Sequence, residues 1–65
     1  MDVTGFTQQL LKVFRSKRED SVEVLVSGSA TTAERYQAVV SRIRTLDEMM
    51  HEMKELLERK EQLDD

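Results

Sequence analysis

The chain contains no cysteine, no proline and a single histidine among its 65 residues, and glycine occurs only twice. Without cysteine there is neither a disulfide framework nor a thiolate metal site. One histidine, His51, is too few for a zinc site built from this chain alone. No apolar run approaches the roughly 20 residues that a membrane span requires. Met1-Asp2-Val3 lacks the basic start and apolar block of a secretory signal, so synthesis without export is the expectation. No glycine-rich phosphate loop is present. A chain this short makes one small domain and buries only about 60% of the surface it exposes when unfolded. With disulfides and metal set aside, a partner surface is the remaining source of stability for so small a scaffold.

What the chain does have is one long amphipathic stretch, residues 32–63, with no glycine or proline inside it. Tyr36, Val39, Ile43, Leu46, Met50, Met53 and Leu57 follow one another at alternating spacings of three and four, a heptad seam of the kind coiled coils use. Val40, Met49, Leu56 and Leu63 widen the seam to a stripe. In front of it, Thr31-Thr32-Ala33-Glu34 has the capping-box pattern. The Thr31 hydroxyl would accept from the Glu34 N–H, and the Glu34 carboxylate would reach back to the Thr31 N–H. The packing surface expected from this element is Tyr36, Val39, Ile43, Leu46, Met50, Met53, Leu56, Leu57 and Leu63.

Upstream, Phe6, Leu10, Val13 and Phe14 have helical spacing, and stepping through Lys17 and Ser21 reaches Val24 and Leu25 in phase. Arg15 and Glu19 stand at i, i+4, which supports one continuous helix over about 4–27, with Thr4 as its cap. The alternative is a short strand at 22–26, where Val22, Val24 and Val26 alternate with Glu23 and Leu25, but that strand has no partner within this chain. Gly28 lies where a left-handed helix C-cap belongs. The short connector at 28–31 then predicts an antiparallel helical hairpin, an all-α fold with helices at about 4–27 and 32–63. Folding back at Ser29 and Ala30 places Val24 and Leu25 opposite Tyr36, Phe14 near Leu46, Leu10 near Met49 and Met50, and Phe6 near Met53. Small residues at Ala38, Ser41 and Thr45 would allow close approach of the helices. At roughly 1.5 Å per residue the second helix outruns the first. Leu56, Leu57 and Leu63 are then expected to lack intramolecular cover, which argues for association.

Net charge is −3, from 10 basic and 13 acidic side chains. Residues 1–45 carry seven basic and five acidic side chains, whereas 46–65 carry three and eight, and 58–65 reads as an acidic C-terminal end. A globally acidic chain is a poor candidate for holding nucleic acid. A local basic band from Lys12, Arg15, Lys17, Arg18, Arg42 and Arg44 would nonetheless be able to meet phosphates or an acidic protein. The plainer reading is a solvated face neutralised by Glu19, Asp20, Glu23 and Glu48. His51-Glu52 starts a metalloprotease pattern, but Glu55 stands where the second histidine belongs. Glu48, Glu52 and Glu55 share a face, yet acid–base work needs a pocket to separate their roles, and two antiparallel helices are expected to offer none. Ser16, Ser27 and Ser29 have no base beside them in sequence. No catalytic residue, cofactor-binding residue or metal ligand is therefore assigned. Met49, Met50 and Met53 read either as seam filling or as an adaptable docking patch.

From residue 25 onward the chain carries Leu25-Val26-Ser27-Gly28, a polar turn, Tyr36, Val39-Val40, Arg42-Ile43-Arg44, Leu46 and a Glu-rich end. In this it resembles a group of small helical-hairpin proteins encoded among the structural genes of tailed bacteriophages. Those proteins often carry glycine where this chain has Ser41 and Thr45. The resemblance implies a virion or head-assembly component that docks on capsid, portal or tail proteins, located in the virion or the host cytoplasm, with no catalytic role. Its partners would be itself, a larger structural protein, or both. Two other readings stand beside it: a small acidic regulator or inhibitor of a host enzyme, and a dimeric DNA-binding regulator using the basic band.

Overall fold

The computed structural model describes residues 2–63, with side chains described through Arg59. It is a hairpin of two helices, α1 at Val3–Val26 and α2 at Ala33–Leu63, packed along their length. The stretch at 22–26 is helix, continuous with the rest of α1. The molecule measures 50 × 18 × 13 Å, with a radius of gyration of 15.1 Å. A compact chain of this length would have a radius near 11 Å. The hairpin is a rod with one layer of side chains between its arms.

Three of the four helix ends are explained by local hydrogen bonds. At the start of α1, Asp2 has extended backbone geometry and its Oδ1 accepts from the Gly5 N–H at 2.6 Å. Asp2 therefore caps α1, and Thr4 lies within its first turn. At the start of α2 the Thr32 Oγ1 accepts from the Arg35 N–H at 3.1 Å. This moves the cap one residue beyond the expected Thr31, and Glu34 lies in the first turn, where a carboxylate favours the positive end of the helix dipole. Two adjacent threonines offer the same hydroxyl, and the helix begins at Ala33, so geometry selects the second. At the other end of α1, Gly28 has φ +76°. Its N–H donates to the Leu25 carbonyl at 3.3 Å and the Ser29 N–H donates to the Val24 carbonyl at 3.2 Å. These two bonds form a Schellman closure, which needs the left-handed residue glycine supplies. The connector thus spans 27–32, longer than the expected 28–31.

Leu11, Leu46 and Met50 are the buried apolar side chains, with Phe14, Met53 and Leu57 packed against them. Along α1 the residues turned to α2 are Thr4, Thr7, Leu11, Phe14, Arg18, Ser21 and Leu25, all at least half-buried and spaced by three or four. Four of these seven are polar, and none of the four is without a partner. Thr7 Oγ1 donates to the Val3 carbonyl at 2.8 Å and Ser21 Oγ to the Lys17 carbonyl at 2.9 Å. Arg18 Nε reaches Asp47 Oδ1 across the hairpin at 2.7 Å.

The helices are offset by about one turn from the expected register. Level with Asp47 is Arg18, so counting outward in antiparallel fashion puts Ser29, beyond the end of α1, level with Tyr36. Tyr36 accordingly has no helix opposite it and is 48% exposed. At the other end the offset extends cover: Val3, Phe6, Thr7 and Leu10 line a groove with Met53, Leu56 and Leu57. Phe6 therefore lies by Leu57 and Leu10 by Met53. The expectation that Leu57 lacks cover is corrected, because it is half-buried against the core. Leu56 remains 59% exposed, and the side chain of Leu63 lies outside the described residues.

Candidate interaction surface

Two helices side by side have two broad faces, and here they differ in character. One carries Phe6, Val13 and Val24 from α1 with Met49 and Leu56 from α2, all of them exposed. Helical steps of 100° put Phe6, Val13 and Val24 on a single flank of α1, and Met49 with Leu56 on the matching flank of α2. The other broad face carries the Arg18–Asp47 ion pair.

On the apolar face the crease between the helices opens into two shallow grooves, where no concavity was expected. Near the open end of the hairpin, Val3, Phe6, Leu10, Met53, Leu56 and Leu57 line one of about 360 Å³ with little polar surface. Toward the turn, Lys17, Asp20, Ser21, Val24, Arg42 and Leu46 line one of about 400 Å³. Ser21, only 4% exposed, lies at the floor of the second groove. In the turn-side groove the Ser21 hydroxyl donates to the Lys17 carbonyl, and the open-end groove is lined by apolar side chains and Thr7.

The residues expected to pack divide by position. Leu46 and Met50 are buried, and Val39, Ile43, Met53 and Leu57 are half-buried in the contact. Tyr36 and Leu56 are exposed. Ala38, Ser41 and Thr45, expected to permit close approach, instead face solvent; Ser21 is the small residue at the contact. Leu11, the most buried apolar residue of α1, was missed by the sequence reading, which followed Phe6, Leu10, Val13 and Phe14. Its signal was present: Leu11 precedes Phe14 by three, Arg18 by seven and Leu25 by fourteen.

The charged candidates also disperse. Lys17 and Arg42 border the turn-side groove, whereas Arg18 is engaged with Asp47 on the opposite face. Lys17 and Arg42 are thus parted from Arg18, because neighbours in a helix point 100° apart, whereas Lys12 and Arg15 precede Arg18 by six and three and share its side of α1. His51 Nε2 lies 3.1 Å from Glu55 Oε1, and Arg59 Nη2 lies 3.9 Å from the other oxygen of that carboxylate. Both are i, i+4 surface pairs, worth a few tenths of a kcal/mol each. Among the described residues no three His, Asp or Glu side chains cluster as a metal ion would need. Among them, too, no helix is long and apolar enough to cross a membrane.

Comparison of the chain with protein-family models, with curated proteins and with solved structures returns no match.

Proposed function

We propose that this chain is a non-enzymatic assembly protein, a helical hairpin that binds another protein surface through its apolar broad face. The observation that carries the reading is the gathering of Phe6, Val13, Met49 and Leu56, each at least 40% exposed, onto one side of the rod, away from the Arg18–Asp47 ion pair. Large apolar side chains gathered on one face of a small protein mark an interaction site, whereas the same residues scattered singly would not. The resemblance of residues 25–63 to small structural-gene products of tailed phages gives the assembly its setting: a virion or head component docked on capsid, portal or tail protein.

The test is the protein content of purified particles. Gradient-purified virions from the genome that encodes the chain are expected to contain it at a fixed ratio to the major structural proteins. The Phe6→Asp and Leu56→Asp variants are expected to fold as helices and to be lost from the particles. Absence of the unaltered chain from both mature particles and assembly intermediates overturns the proposal.

A further inference from the structure

We infer that the occupant of the open-end half of the apolar face is a second copy of this chain, the two hairpins forming a four-helix bundle about a two-fold axis parallel to the helices. The inference rests on the interaction-protein reading above for its premise that this face is covered, and it goes further by naming what covers it.

Area supplies the first argument. A compact monomer of 7.6 kDa exposes about 4,300 Å² on the general scaling of surface with mass. This chain exposes 5281 Å², an excess of about 1,000 Å². Each partner in a standard interface buries about 800 Å². An excess of that size is enough for each copy to supply its half of a stable contact.

Charge and register supply the second. An axis parallel to the helices lays α1 of one copy on α2 of the other while keeping every level along the rod unchanged. Arg18 lies level with Asp47 within a hairpin, so Phe6, Leu10 and Val13 of one copy fall within about a turn of Leu56, Met53 and Met49, respectively, of the other. Aromatic and thioether groups pack favourably in such a contact. The rims then oppose in sign. Lys17, which borders the turn-side groove on this face, is set level with Glu48 on the outer edge of α2 of the other copy, and Asp20 of one copy comes within about a turn of Arg42 of the other. End-to-end docking, with the axis across the rod, would set the Glu48–Glu52 rim against itself. Opposed charges at a rim fix orientation, and like charges exclude alternatives.

Sedimentation equilibrium of the full chain across two decades of micromolar concentration tests the stoichiometry. A mass of twice 7.6 kDa is expected. Val13→Glu or Met49→Glu is expected to weaken self-association by about a hundredfold or more, as loss of a central contact does. Both positions are exposed in the single hairpin, so helicity should persist. Val26→Glu, exposed and outside the patch, should change nothing. Because the chain has no cysteine, the arrangement can be read by mixing Val13→Cys with Met49→Cys chains. Oxidation should join unlike chains faster than like ones. A monomer at every concentration, a dimer indifferent to Val13→Glu and Met49→Glu, or preferential joining of like chains overturns the inference. A monomer that is still incorporated into particles would leave the assembly proposal standing, whereas a dimer absent from particles would overturn that proposal alone.

Discussion

At position 21 a serine occupies a place in the helix contact that periodicity would give to an apolar side chain. Its hydroxyl is satisfied by the Lys17 carbonyl of its own helix, so burial leaves no orphaned donor, and its small volume is what α2 packs against. Ser21→Ala is therefore expected to leave stability unchanged or raise it by about 0.5 kcal/mol, since alanine is the better helix former. Ser21→Leu overfills the seam and should cost about 1–3 kcal/mol. Urea unfolding followed by circular dichroism separates the two. The same logic applies to the caps. Thr32→Ala and Asp2→Ala each remove an acceptor for an N-terminal N–H and should cost about 1 kcal/mol, whereas Thr31→Ala should be nearly silent. A larger loss at Thr31 than at Thr32 would contradict the observed cap. Gly28→Ala meets open space, so any loss, about 1–2 kcal/mol, comes from the backbone conformation alone.

Between elements, the two seams were unequally legible. The contact side of α2 is apolar at nearly every step from Val39 to Leu57, so its period stands out in the sequence. On α1 the contact side alternates Thr7, Leu11, Phe14, Arg18, Ser21 and Leu25, and a search for apolar repeats drifts to the neighbouring flank at Phe6, Leu10 and Val13. That flank is the exposed apolar face. What misled the reading of the core is thus the feature that defines the candidate site. The register was hidden for a different reason: it depends on how many residues the turn consumes, and the choice of Thr32 over Thr31 as cap lengthens the turn. Leu46 sits at the centre of the contact, 7% exposed. Leu46→Ala should destabilise the fold by about 2–4 kcal/mol, most of the stability such a chain has. Thermal melts would contradict this core if Leu46→Ala proved milder than Leu56→Ala.

The whole molecule is a rod with a single thin layer of buried side chains and no fully buried large residue among those described. Apolar burial is the main force opposing chain entropy, and a layer of three buried side chains offers little of it. The hairpin's shape was readable from two amphipathic runs and one glycine. Which side seeks cover was not, because that depends on where Ser21 and Arg18 sit in three dimensions. Binding to the folded state stabilises it by mass action, so a chain that completes its fold against another copy melts at a midpoint that depends on its concentration. The most direct measurement is therefore the thermal midpoint of the full chain across a hundredfold range of concentration. The account predicts a midpoint that climbs steadily with concentration, and a cooperative transition at one fixed temperature throughout would contradict it.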